Sequence, residues 1–401
     1  MPGMRMRPEE EIVLLSSLAE RDAEQEERLR SLLSEGSIDW QFLWERASVN
    51  QVLPLFARVL LSVSTIVALP QSVIDNARAI RLRTIFSNMS AREELARIGS
   101  LLASRGVPCV PLKGTHLAER LYHRLDSRQT GDIDILVPRS ALETARSVLA
   151  QLGYAPATGV LRHPGEHTFH GVPYVRSTPA GGYAVELHWE LNNPRFVSID
   201  YERLWQRVLT AGSSEQALRP LPSEETLLFL ALHLAKHSRG VLRLLADIDR
   251  LVRQEGPSID WQYTLALAER WRVSSLLYFA LLHAQTLLST PVQPWIMARL
   301  KPVTWRRAMV GLLIGPDVIL RAPGEGHVHS DRFDLAYSIM LSSLRRSFDA
   351  YIHYLFPPVV FQGPFVLGRP VGMALRLTRG VAWTGLVFAS CLAGWVRARQ
   401  I

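Results

Sequence analysis

The sequence predicts an α+β protein, a small mixed-sheet core set between helical regions. Three observations carry this. Apolar residues recur at helical spacing through the first hundred positions. After Gly106 the texture changes to short apolar runs bounded by turn residues, as in strands. From Ser223 the helical spacing returns. The expected organisation is an N-terminal helical region over 1–104, an α/β core over 105–215, a helical domain over 216–300, and a C-terminal helical region with a hydrophobic tail over 301–401.

The first helix covers 9–33, and its early acidic residues suit the positive end of the helix dipole. A second helical stretch, 39–61, takes Ser37 or Asp39 as its cap, and Pro54 kinks or divides it. Pro70 opens a third, reaching about Ser104. Ser37-Ile38-Asp39-Trp40-Gln41 returns as Ser258-Ile259-Asp260-Trp261-Gln262. At the same 221-residue offset Ala47, Val52 and Leu55 match Ala268, Val273 and Leu276. The offset is too long for a solenoid period. It reads as two similar helical units flanking the core, with a chance likeness between amphipathic helices as the alternative. In the core, 107–112 is a buried strand, 115–122 a short helix, 132–137 a strand, and 139–152 a helix stopped at Gly153. Two strands follow, near 167–174 and 183–189. Helices then run over 223–239, 242–254 and 260–288, the last as one or two. Residues 324–330 form a loop, and Pro357-Pro358 interrupts the chain before the tail.

Composition narrows the function classes. Hydrophobic residues make up 48% and charged residues 20%, which excludes an extensively disordered chain. The net charge of +8 favours anionic partners: nucleotides, nucleic acid or a membrane surface. Arg is spread along the chain without basic runs interleaved with aromatics, so nucleic acid is not favoured. Cys109 and Cys391 stand far apart without Cys/His metal spacing, which argues against a disulfide framework and suits a reducing cytoplasm. The N-terminus lacks the apolar core of a signal peptide. The uncharged segment 381–396 has 16 residues, short of the roughly 20 that span a bilayer. It reads as a covered C-terminal helix, with peripheral membrane contact as the second reading.

The chemistry starts at Asp132-Ile133-Asp134. In a strand, side chains at i and i+2 share a face, with Cα atoms roughly 7 Å apart. Two carboxylates that close repel unless a cation lies between them, and Mg²⁺ takes one or two carboxylates together with substrate phosphates. Upstream, Lys113-Gly114 follows a strand and precedes a helix. Glycine there lets backbone N–H groups approach a phosphate at the helix N-terminus. Glu186 lies within the apolar run Tyr183–Trp189, where a charge is costly unless paired, metal-bound or at an exposed edge. His188 shares its face by alternation, as a substrate or metal contact or as a hydrogen-bonded structural residue. His233, Lys236 and His237 share one helical face, without the Glu that a metalloprotease helix carries.

The order strand, Lys-Gly, helix, Asp-x-Asp strand, helix, Glu-bearing strand resembles the DNA polymerase β-like nucleotidyltransferases. It is most similar to a bacterial branch described as uncharacterised nucleotidyltransferases. The likeness rests on Leu112-Lys113-Gly114, on Arg128 before Asp132-Ile133-Asp134, and on Glu186-Leu187-His188-Trp189. His233, Lys236 and His237 followed by Asp247-Ile248 extend it, so that it covers about 35–290. Where the wider superfamily carries Gly-Ser, this chain has Lys113-Gly114.

The resemblance implies a polymerase β-like core with the helical domain completing a nucleotide cleft. It implies transfer of NMP from an NTP, with Mg²⁺ or Mn²⁺ held by Asp132, Asp134 and Glu186, and with Glu186 as a general base. Lys113, Gly114, Arg128, Lys236 and His188 are the expected nucleotide contacts. The acceptor would be a hydroxyl or phosphate on a small molecule, peptide or saccharide, as in natural-product or surface-polysaccharide pathways. The competing expectation is a catalytically silent nucleotide-binding or assembly protein of the same fold.

Overall fold

The computed structural model describes residues 6–34, 38–157, 170–178, 181–194, 196–211, 217–237, 241–315, 319–320 and 336–341. The tail at 381–396, the 324–330 loop and Pro357-Pro358 lie outside them.

The helix expected over 9–33 is two, α1 (Pro8–Ser17) and α2 (Ala23–Ser34). Asp22 and Gln25 mark the break. The Gln25 N–H donates to Asp22 Oδ1 at 2.8 Å, and the Asp22 N–H donates to Gln25 Oε1 at 3.0 Å. This reciprocal cap starts a new helix. Pro54 divides the next stretch into α3 (Trp40–Val49) and α4 (Leu53–Val63), and it sits in the first turn of α4, where a missing N–H is harmless. The long helix α5 (Gln71–Ala103) follows.

The core contributes β1 (Val110–Pro111), α6 (Thr115–Tyr122), β2 (Ile133–Leu136), α7 (Leu142–Gln151), β3 (Ala155–Pro156), β4 (Gly171–Thr178) and β5 (Gly181–His188). β1 is shorter than the 107–112 run because Pro108 and Pro111 have no N–H for a ladder. The sheet order is β1-β2-β5-β4-β3, with β2 and β5 parallel and the other pairs antiparallel. Helices α8 (Tyr201–Ala211), α9 (Ser223–Lys236), α10 (Val241–Glu255), α11 (Trp261–Trp271), α12 (Ser274–Leu288), α13 (Pro294–Leu300) and α14 (Thr304–Leu313) complete the order. The expected 260–288 stretch is therefore two helices, and α8 is an addition to the sequence reading.

The 221-residue repeat is structural. Asp39 and Asp260 cap α3 and α11, accepting from Phe42 N–H at 3.0 Å and Tyr263 N–H at 2.9 Å. Their own N–H groups donate to Glu9 Oε1 at 3.1 Å and Glu224 Oε1 at 3.0 Å. Gln51 and Arg272, at the same offset, both turn left-handed with φ of 55° and 62°.

One face of the sheet, with Ile133, Ile135, Val185 and Leu187, is buried with Leu95, Ile98 and Leu102 of α5 and Ala145, Val148 and Leu149 of α7. The N-terminal helices and those after Ser223 share the larger core, which also takes in Leu112, Leu117, Leu121 and Leu136. Val73 and Ala77 of α5 belong to that core as well, so this helix ties the two together.

Candidate active site

The site forms where β2 and β5 run side by side. In their parallel register Asp134 lies opposite Glu186, and Leu136 opposite His188. Alternation sends Ile133, Ile135, Val185 and Leu187 into the sheet's buried face, leaving Asp134, Glu186 and His188 on the other. One ligand atom from each of these three lies within 4.8 Å of the others. His188 Nε2 is 3.2 Å from Asp134 Oδ1 and 3.4 Å from Glu186 Oε2. Lys113 Nζ is 2.8 Å from Asp134 Oδ1.

Burial sorts the charges. Asp134 is buried, which by itself would raise its pKa. The His188 hydrogen bond and the Lys113 ammonium outweigh this and hold it below the usual carboxylate range. Burial likewise works against a charged His188, but the hydrogen bonds to Asp134 and Glu186 raise it to about 9, so the imidazole is protonated at neutral pH. Asp132 stands just before β2 at the exposed rim, outside the three-residue cluster. Loss of surrounding water, and then the Asp134 charge, raise its pKa. Beside it opens a cavity of about 220 Å³ lined by Phe86, Ser90, Thr130, Asp132 and Tyr183.

The donor set fits a divalent metal ion. Among the described residues Asp134 Oδ2 is buried without a hydrogen-bond partner, although Oδ1 carries both Lys113 and His188. Buried polar oxygens seldom go unpaired without cause. Two carboxylates match Mg²⁺ or Mn²⁺, and His188 would join them as a ligand only on giving up its proton.

Two glycines shape the cluster. The Leu112 N–H donates to Asp134 O at 3.0 Å, which extends the β1–β2 ladder and sets Lys113 beside Asp134. The chain then turns through Gly114 at φ 65° and ψ −133°, a conformation closed to side chains. A Cβ there would lie 3.0 Å from Thr130 Cγ2 and 3.3 Å from Asp132 O. At Gly171, opposite His188 on β4, a Cβ would lie 2.7 Å from His188 Nδ1 and 3.3 Å from Glu186 Oε1.

Arg128 differs from its expected role as a phosphate contact. Its side chain is 1% exposed, and that of its partner Asp247 on α10 is 0% exposed. Arg128 Nε and Nη2 donate to Asp247 at 3.0 and 2.9 Å, and Nη1 donates to Gly114 O at 3.2 Å. The guanidinium is spent on a clamp between the Lys-Gly turn and α10. Tyr122 Oη donates to the same Asp247 at 2.7 Å. Lys236 ends α9, and its side chain lies outside the description. The rings of His233 and His237 meet edge to face with centroids 4.2 Å apart. Sequence reasoning passed over Arg243. It lies one turn before Asp247, close enough to Asp132 for each to shift the other's titration. Its spacing from Asp247 was the signal that could have found it.

Residues 36–289, well over half of the chain, match the model of a family described as uncharacterised nucleotidyltransferase. The chain belongs to this family. The matched span takes in the Lys-Gly turn, both carboxylate strands and the Arg128–Asp247 clamp, so the cluster described above lies inside the nucleotidyltransferase region. No curated protein and no solved structure matches the nucleotidyltransferase. Among its described residues no helix is long and apolar enough to cross a membrane.

Proposed function

We propose that this nucleotidyltransferase moves NMP from an NTP to a hydroxyl or phosphate of an acceptor, with divalent metal ions held by Asp134, Glu186 and the rim residue Asp132. The observation that carries the reading is the convergence of Asp134, Glu186 and His188 within 4.8 Å beside the Lys113-Gly114 turn. A bound divalent ion would neutralise charge on the phosphates and lower the pKa of the attacking hydroxyl.

The chain's own residues do the rest. Asp134, held below the usual carboxylate range, stays an anion at any working pH. Asp132, with its raised pKa and exposed position, takes the acceptor proton, the role that the sequence reading gave to Glu186. Glu186, 33% exposed, reaches the same space as a second ligand. Gly114, without a Cβ, lets phosphate oxygens come close to the backbone at the start of α6, and Lys113 supplies a positive charge beside them. The cavity beside Asp132 admits the acceptor, with Phe86 and Tyr183 as its aromatic walls. Positioning and charge neutralisation are what nucleotidyl transfer needs from a protein.

The test is incubation of the protein with each labelled NTP, Mg²⁺ or Mn²⁺ and a host lysate, beside Asp132→Ala/Asp134→Ala. Label on a target with wild type alone supports the reading. Equal labelling by the double variant would sink the site assignment. Nucleotide binding without pyrophosphate release on any acceptor would favour the silent, nucleotide-binding alternative.

A further inference from the structure

We infer that Arg243, on the first turn of α10, contacts the phosphates of the bound nucleotide. The inference rests on the nucleotidyltransferase reading of the site and adds a residue to it.

A phosphate chain needs positive partners, and the cations near the cleft can be taken in turn. Arg128 is fully engaged by Asp247 and Gly114 O. Arg120, on α6, is held by Glu255, Ser223 and the Leu221 carbonyl. Lys113 leans on Asp134. Arg243 is different. Its Nε is buried and has no hydrogen-bond partner among the described residues.

The natural helical partner for Arg243 is Asp247, at i+4 on the same face. That carboxylate is already taken: Arg128 occupies both of its oxygens, and the Tyr122 hydroxyl adds a further bond to Oδ1. Arg243 is therefore half-buried, with its Nε covered, beside a second guanidinium and with its nearest acid used up. Burial first, and then the Arg128 charge, lower its pKa to about 10, so it remains charged at neutral pH. A half-buried cation whose Nε has no acceptor gains from the arrival of an anion. Asp132 lies within its electrostatic reach, and no ion pair joins the two. The space that Arg243 serves thus adjoins the rim of the carboxylate cluster, where a metal-bound triphosphate carries its charge. Guanidinium is well matched to it, offering two parallel N–H donors to one phosphate. Helix α10 would then carry two arginine functions one turn apart. Asp247 fixes Arg128 and the Gly114 turn, and Arg243 stays open for the ligand.

Equilibrium titration of a non-hydrolysable NTP analogue with Mg²⁺ tests this on wild type, Arg243→Gln and Arg243→Lys. NDP, NMP and the free nucleoside are titrated in parallel. Loss of one charged hydrogen-bonding partner is expected to weaken NTP binding roughly 10–100-fold. Nucleoside affinity should hold, and Arg243→Lys should recover part of the loss. The ligand-free Arg243→Gln protein should melt no lower than wild type, because no internal partner is orphaned. Equal NTP affinity in wild type and Arg243→Gln would overturn the inference while leaving the nucleotidyltransferase reading intact. So would an equal loss for NTP and nucleoside, or a clear drop in the ligand-free melting temperature, which would mark Arg243 as a packing residue. A wild-type protein that binds none of the nucleotides would remove the underlying reading and the inference with it.

Discussion

Replacing Asp247 by Leu tests how the Lys-Gly turn is held. Arg128 would lose three donor–acceptor contacts of 2.9–3.2 Å while its guanidinium stayed buried. Breaking a buried pair from one side costs about 3–5 kcal/mol, because the remaining charge keeps its desolvation penalty. With an unfolding entropy of about 2.1 cal/mol/K per residue and on the order of 300 ordered residues, each kcal/mol lowers Tm by roughly 1.6 °C. Asp247→Leu should therefore melt about 5–8 °C below wild type in differential scanning calorimetry. Arg128→Met should fall by less, because Arg243, one turn before Asp247 on the same helix, can then take up its carboxylate. The double variant strands neither member of the pair and should regain part of the loss, short of about 1 kcal/mol for the Tyr122 hydroxyl that also bonded Asp247 and of the attraction between Asp247 and Arg243. Its nucleotide affinity should not recover, because Gly114 O has lost the Arg128 Nη1 donor that steadied the turn. A single variant melting within 1 °C of wild type would refute the clamp. A double variant as unstable as the sum of the two singles would do the same.

Three further outcomes follow from the same geometry. Gly114→Ala forces a side chain into a glycine-only conformation, at about 1–3 kcal/mol, and nucleotide titration should show an affinity loss larger than the shift in Tm accounts for. Gly171→Ala puts a methyl 2.7 Å from His188 Nδ1 and should weaken Mn²⁺ binding in calorimetric titration, whereas Gly182→Ala, with its nearest neighbour at 3.7 Å, should leave it unchanged. The His188 pKa is raised on folding, so its contribution to metal-free stability is complete below about pH 6.5 and is lost as pH rises through about 9. Over that window Tm should fall in wild type and stay flatter in His188→Gln. Asp134 has the opposite sign: its contribution is present above the ordinary carboxylate pKa and is lost as pH falls through the depressed folded value.

Much of this site could be read from local pattern. Two-residue alternation put Asp132 and Asp134 on one face, and it placed His188 with Glu186. The Lys-Gly pair between an apolar run and a helix pointed to the turn that Gly114 makes. Other features depend on register and distance in the chain. Nothing in 132–137 or 183–189 says that Asp134 pairs with Glu186, since a one-residue slip would flip one set of side chains to the buried face. The partner of Arg128 lies 119 residues away on a helix, and the choice between phosphate contact and buried clamp was decided by packing. The helix break after Ser17 was legible in Asp22 and Gln25, but the apolar periodicity ran across it. β3, two residues long, is too short to carry a pattern.

The charge arrangement around Asp134 ties these parts together. Three acidic groups gather where the inner strands β2 and β5 run side by side, and without compensation their repulsion would oppose folding. Lys113 and protonated His188 supply that compensation, and both bind the same oxygen, Oδ1. Oδ2 is left without a partner among the described residues. A cation bound through Oδ2 and Glu186 would not have to break the Lys113 contact. It would compete only with the proton that His188 shares between the two carboxylates. Lys113 can therefore stabilise the metal-free fold and keep its contact with Asp134 when a cation binds. The lysine next to Gly114 thus has a structural reason: its ammonium balances Asp134, while the following glycine makes a turn closed to other side chains.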